Sequence, residues 1–283
     1  MQDVVNRFLQ YLEVDCSSAQ NTILAYQTDV RQFIQVLTAI SGRPIEPAQI
    51  DVEIVEKYVS WLNRQGYKIA TVARKIAAVR TFLDYLHSHE GFDTRAVLDS
   101  LDLPQNPRQP PKVLTTTELE NLIHAASQGD SPRATRDAAA LSLLYATGLR
   151  AAEVIALNTA DIDLPSGIIR KNETYTDSIS LGNALPSLKT YIEKGRPYLL
   201  RTPEVQALFI NQRGQRLSRQ GLWLIVKRWA AEAGLSSDIS PQTIRHSLVR
   251  HLLEQGKSRS EVQELLRLSS PNTLWLHKQS HRN

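Results

Sequence analysis

The chain has 283 residues, enough for two domains that each bury a core. It is 42% hydrophobic and 22% charged with a formal net charge of +4, a composition that excludes a disordered chain and predicts a soluble globular protein. The longest apolar runs fall short of the ~18 residues a membrane span needs. The opening MQDVVNRFLQYLEVD is amphipathic and acidic, which excludes a signal peptide and predicts a cytoplasmic location with no membrane partner. Cys16 is the one cysteine, so an internal disulfide and a multi-cysteine metal site are excluded as well.

The charge is unevenly spread. Residues 1–106 carry 10 Lys/Arg against 13 Asp/Glu, whereas residues 107–283 carry 23 against 16. Between Glu56 and Asp84 there is no acid, yet Lys57, Arg64, Lys68, Arg74, Lys75 and Arg80 all fall there. Between Glu204 and Glu232 the bases are Arg213, Arg216, Arg219, Lys227 and Arg228, again without an acid. Either run alone is compatible with a solvated helix face. Two such runs, one in each half, point towards a polyanionic partner.

In chain order, Val4, Val5, Phe8, Leu9 and Leu12 recur at helical spacing, as do Ile23, Tyr26, Val30, Phe33 and Leu37, with Asn21 a candidate N-cap. Helices are predicted over 52–65 and 69–88. In the second, Val72, Ile76, Val79, Leu83 and Leu86 form the apolar stripe, and Arg74, Lys75 and Arg80 lie mainly off it, free to face solvent or a phosphate backbone. Residues 103–113 (LPQNPRQPPKV) hold four prolines and predict a stiff extended linker between domains at 1–102 and 114–283. Beyond it, helices are predicted over Thr116–Ala126 and Thr135–Ala146, the latter stopped by Gly148, with a further helix starting near Ala151. Residues 161–181 carry turn signals at Pro165–Gly167 and Asn172–Glu173 between β-prone stretches, which predicts a small antiparallel sheet. Helices return near 186–194, 218–233, 241–255 and 258–267.

Several motifs in this order resemble the tyrosine recombinase (phage integrase) family, Xer-type. SSAQNTILAYQTDVRQFIQVL and KIATVARKIAAVRTFLDYL are similar to parts of its helical core-binding domain. RDAAALSLLYATGLRAAEVIALNTADID is similar to the region of its first catalytic arginine, and SPQTIRHSLVRHLLEQGKSRSEVQELL to its second box. The resemblance implies a mainly α, two-domain protein. An N-terminal helical core-binding (SAM-like) domain would precede a C-terminal mixed α+β catalytic-type domain with a small antiparallel sheet. It also implies a double-stranded DNA partner and a reaction without nucleotide or metal cofactor. In that reaction a tyrosine attacks a phosphodiester while two arginines hold the non-bridging oxygens. A lysine acts as acid towards the leaving oxygen, and two histidine-type positions assist.

Carried over, the arginines are Arg150, with Glu153 three residues on to orient it, and Arg245. Gln242 stands where the family has histidine. It shares a helix face with Arg245 and can donate a hydrogen bond to the same phosphate, but it cannot exchange a proton near neutral pH. An ordinary polar residue of a helix's first turn is the equal alternative. The lysine position falls on Asn172, with Lys171 adjacent and able to reach the site if the hairpin turn compensates for the slip. The second histidine position falls on Leu268, which offers no hydrogen bond. Arg267 beside it is either a phosphate contact or an exposed surface arginine.

The nucleophile position falls on His277. Tyr198 is the last tyrosine of the chain, and 85 residues follow it. Histidine can attack phosphorus, or it can simply be a partly exposed residue before the basic tail formed by Lys278, His281 and Arg282. Six residues follow His277. That is short of the further helix by which relatives dock on a neighbouring subunit, so the usual cyclic assembly is not expected. The groups that bind phosphate without reacting remain, while those that need a labile proton or nucleophilic oxygen are altered. The leading expectation is therefore a catalytically impaired DNA-binding homologue, a pseudoenzyme with an architectural or regulatory role. Two alternatives stay open. One is an active recombinase using His277, or a tyrosine from a second recombinase-like subunit. The other is a protein-interaction module that no longer binds DNA.

Overall fold

Helix α1 (Gln2–Val14) buries Val4, Val5, Phe8 and Leu12 along one stripe, as its spacing dictates. The computed structural model describes residues 1–16, 18, 20–102, 111–170 and 178–266. Its chain divides into two compact units, Met1–Arg108 and Gln109–Asn283. In the first unit α1 is followed by α2 (Gln20–Ser41), α3 (Val52–Arg64), α4 (Ile69–Glu90) and α5 (Arg95–Ser100). Helix α2 starts at Gln20, so Asn21 lies inside its first turn and is not the cap expected from sequence. Asp51 caps α3 by accepting the Ile54 amide at 2.9 Å, and α4 ends at Gly91, whose φ of 75° suits a residue without Cβ. Edge-to-face pairs Phe8–Phe82 (5.2 Å) and Phe33–Tyr58 (4.8 Å) fill the core. Arg7 on α1 grips Glu90 at the end of α4 through two bonds of 2.7 Å. Helix α5 escaped the sequence reading because six residues are too few to display a period.

The second unit is built around α7 (Pro132–Thr147), which buries Ala138, Ala139, Ala140, Leu141, Leu143 and Leu144 and so is covered on nearly every side. It starts before the expected Thr135, because Ser131 caps the Ala134 amide at 3.1 Å and Pro132 suits the first turn. Before it, α6 (Thr116–Ser127) opens with a Thr115–Glu118 capping box; after it comes α8 (Ala151–Ala156). The sheet is antiparallel in the order β1 (Ile162–Asp163), β2 (Ile168–Ile169), β3 (Ile179–Ser180), with Ile162 opposite Ile169 and Ile169 opposite Ile179. Gly167 makes the first turn at φ 64°. The second turn signal, Asn172–Glu173, lies outside the described residues, as does most of the proline-rich 103–113 stretch.

The single helix expected over 186–194 is instead α9 (Leu185–Thr190), a π-helical turn (Tyr191–Gly195) and α10 (Arg196–Leu199). The widened turn sits where the chain presses on α7: a Cβ at Gly195 would overlap the Thr135 hydroxyl. Tyr191 is held there as well, its hydroxyl donating to the Leu208 carbonyl (3.0 Å) and accepting from the Ile210 amide (3.3 Å). Helices α11 (Arg219–Glu232), α12 (Pro241–Glu254) and α13 (Arg259–Leu265) complete the unit. Among the described residues, no helix is long and apolar enough to cross a membrane.

Candidate functional site

The site in the second unit is organised by the end of α7. Gly148 adopts φ 59° and its amide donates to the Leu144 carbonyl at 3.0 Å, terminating the helix. The turn delivers Arg150 to the position just before α8, where the Arg150 amide donates to Glu153 at 2.7 Å. The Arg150 guanidinium lies 3.8 Å from the same carboxylate, and its side chain is 49% exposed, so it remains available to an outside anion. A Cβ at Gly148 would overlap Leu266 and lie 2.8 Å from Leu248 Cδ2, so both backbone conformation and space demand glycine.

Arg245 reaches the same turn from α12. It is buried, donating through Nη1 to the Gly148 carbonyl and through Nη2 to the Leu266 carbonyl at 2.9 Å. One side chain thus ties together the ends of α7 and α13. Two bonds leave three of its five N–H donors for other acceptors. Its pKa is lowered first by burial and then by the positive charge of Arg150, with Glu153 opposing. Arg150 thus bears on Arg245 as a like charge, which a bound anion would offset.

Gln242 and Arg245 do start from one face of α12, as expected, but their polar groups go different ways. Gln242 is exposed and its Nε2 lies 3.1 Å from His246 Nε2, one turn on. An amide nitrogen only donates, so His246 Nε2 accepts and the ring proton sits on Nδ1. Burial, and secondarily Arg245, push the His246 pKa down, in keeping with a neutral ring. Sequence reasoning passed over His246, although its place directly after Arg245 was a usable signal. Lys171, Asn172, Arg267, Leu268 and His277 lie outside the described residues.

Two further networks were invisible in sequence. His251 donates from Nε2 to the Leu114 carbonyl (2.9 Å), and Tyr145 meets its Nδ1 at 3.0 Å, while Ser247 accepts from the Leu114 amide at 2.8 Å. Helix α12 thereby fastens the segment leading into α6. Elsewhere Asp137, buried, accepts from Arg136 (2.8 and 2.6 Å) and from Trp229 Nε1 (2.9 Å). Each network joins residues far apart in the chain, which no local pattern reveals.

The basic runs are more structural than their spacing suggested. Lys75 was expected to face outward; it is buried, with Nζ 2.9 Å from Asp29 and 2.5 Å from Gln32. Arg80 turns inward to the carbonyls of Leu98 (3.0 Å) and Leu101, closing the end of α5. Both corrections have one cause: long side chains near the edge of an apolar stripe can bury their stems and seek acceptors on a neighbouring helix. Arg74 pairs with Asp29 and stays 44% exposed. In the second run Arg213, Arg216 and Arg219 are all exposed, and Arg216 also binds the carbonyls of Ile155, Ala156 and Leu157.

Comparison with known proteins matches residues 112–279 to the phage integrase family and residues 5–90 to the N-terminal SAM-like domain of phage integrases. The chain belongs to the phage integrase family. Among its relatives, tyrosine recombinase XerC of Herpetosiphon aurantiacus is 35% identical over 280 residues, covering 98% of this chain and 90% of the relative. Tyrosine recombinase XerD of Listeria monocytogenes serotype 4b is also 35% identical, over 271 residues, covering 94% and 90%. This integrase is thus of the Xer tyrosine recombinase type, as its motifs implied. The fold agrees. The Tn1549 transposon integrase in complex with transposon right end DNA superposes with a TM-score of 0.73 at 15% identity, covering 99% of this chain and 95% of the other. A XerH recombinase bound to its palindromic difH substrate gives 0.68 at 19% identity, covering 97% and 90%. The mainly helical two-part architecture with its small antiparallel sheet is that of the tyrosine recombinases.

Proposed function

We propose that this integrase-family chain binds duplex DNA and is impaired in strand cleavage, serving an architectural or regulatory role. The observation that carries the reading is at the nucleophile position. On the motif resemblance that position is His277, which lies within the stretch matched to the family, residues 112–279, and the sequence has no tyrosine after Tyr198. Phosphate binding and acid–base chemistry are separable functions. Arg150 and the remaining donors of Arg245 supply the first, with Arg74 on the other unit as a further backbone contact. Gln242 and Leu268, at the histidine-type positions, cannot supply the second.

Duplex substrates carrying nicks that trap covalent recombinase intermediates test the proposal when run on native and denaturing gels in parallel. The expected result is a shifted band that disappears on denaturation. A band that survives denaturation and is abolished by His277→Ala would replace impairment with an active recombinase of unusual nucleophile. No shift at low salt with any duplex would remove DNA binding altogether.

A further inference from the structure

The first unit contains a charge cluster that packing alone does not require. Asp29, midway along α2, is fully buried. Its Oδ1 accepts from Lys75 Nζ at 2.9 Å, and its Oδ2 accepts from Arg74 Nη1. Lys75 is enclosed on all its polar sides. It also donates to Gln32 Oε1 at 2.5 Å and sits 5.3 Å from the centroid of the Tyr67 ring, and Gln32 in turn donates to the Tyr67 hydroxyl at 3.3 Å. One buried carboxylate therefore serves two cations from adjacent positions on α4. Asp29 and Lys75 neutralise one another inside, and the surplus positive charge resides on Arg74, whose side chain is 44% exposed.

Arginine has five N–H donors, and the bond to Asp29 uses one corner of the guanidinium. The rest of its donors make no further hydrogen bond among the described residues. A free surface arginine loses rotamer freedom when it grips a phosphate; one already anchored by a buried acid has lost part of it beforehand. We propose that Asp29 is a positioning residue for DNA: it holds Arg74 in the geometry that presents the guanidinium to a backbone phosphate. The proposal rests on the duplex-DNA reading above and adds the residue through which the first unit tunes that contact.

Charge and positioning predict opposite signs, which makes the idea testable. Removing a carboxylate from a protein that binds a polyanion strengthens binding if only the field matters. If Asp29 positions Arg74, removing it weakens binding. The measurement is fluorescence anisotropy of a labelled duplex titrated with the full chain over a range of salt concentrations. Arg74→Ala is expected to weaken binding about tenfold at low salt and to lower the salt slope by about one. Asp29→Asn is expected to weaken it about fivefold with the slope unchanged, because Arg74 still reaches its phosphate but must be ordered first.

In the Arg74→Ala background, Asp29→Asn should have no further weakening effect; an equal loss there would mean that Asp29 merely supports the fold and would overturn the proposal. Tighter or unaltered binding by Asp29→Asn would overturn it too. Should Asp29→Asn unfold because Lys75 is left buried without its acid, Asp29→Asn/Lys75→Met removes both buried charges together and is read in the same way, with the same loss expected. Failure of the wild-type chain to bind any duplex would defeat the DNA reading itself; wild-type binding with an indifferent Asp29 would defeat only this inference.

Discussion

Arg245 and Arg150 occupy matching places in the functional argument, yet the structure predicts very different consequences for their loss. Arg245→Ala removes the donors to two carbonyls, those of Gly148 and Leu266, and so unfastens α7 from α13. A hydrogen bond from a charged donor contributes about 1.5–3 kcal/mol, which puts the gross loss at about 3–6 kcal/mol. Part is returned, because the cation being deleted was held against burial and against Arg150. The net expectation is about 2–4 kcal/mol, or about 5–15 °C in the melting temperature of a unit this size. Arg150→Ala removes a half-exposed side chain whose ion pair spans 3.8 Å, and should cost under about 1 kcal/mol. Both changes should weaken duplex binding if both arginines hold phosphate. Calorimetric melting of the two variants, paired with anisotropy titrations, separates the roles. Equal melting temperatures would refute the structural account of Arg245, and unchanged affinity in Arg150→Ala would refute its phosphate role.

Gly148→Ala should destabilise by about 2–5 kcal/mol, since a left-handed backbone and an overlap with Leu266 act together; a denaturant midpoint like that of wild type would disprove the packing argument. Asp137→Ala strands the buried Arg136 cation and the Trp229 indole N–H, with an expected loss of about 3–5 kcal/mol by urea unfolding; a loss below about 1 kcal/mol would show the network to be dispensable. His246 gives a pH signature. Its folded pKa is depressed by burial and Arg245, so as pH falls below about 6.5 the unfolded chain takes up the proton first, and stability declines towards the folded value. His246→Gln should flatten that part of the stability profile; an unaltered slope would place the titration elsewhere.

Helix positions were largely legible because apolar spacing and capping residues are local. Gly148 stops α7 within a few residues of itself, and the stripe of Val72, Ile76, Val79, Leu83 and Leu86 marks α4 without reference to any partner. The equally local caps Asp51 and Ser131 escaped the sequence reading, and Asn21, expected to be a cap, is not one. The interruption between α9 and α10 was not legible, since it answers to contact with Thr135 on α7.

The candidate site divides along the same line. Motif order placed Arg150, Gln242 and Arg245 in the chain and made the family visible, and the absence of tyrosine after Tyr198 was plain from the residues themselves. Which of those cations remains free to meet an anion was a tertiary question. Arg74, Lys75 and Arg80 look equivalent in a helical projection, but Asp29, Gln32 and the end of α5 leave the first half-exposed and draw the other two inward. Arg150 and Arg245 look equally alike as motif residues, yet one stands at the surface while the other braces two helix ends. Periodicity encodes direction from a helix axis; the destination of a long charged side chain is set by acceptors that arrive from elsewhere in the chain.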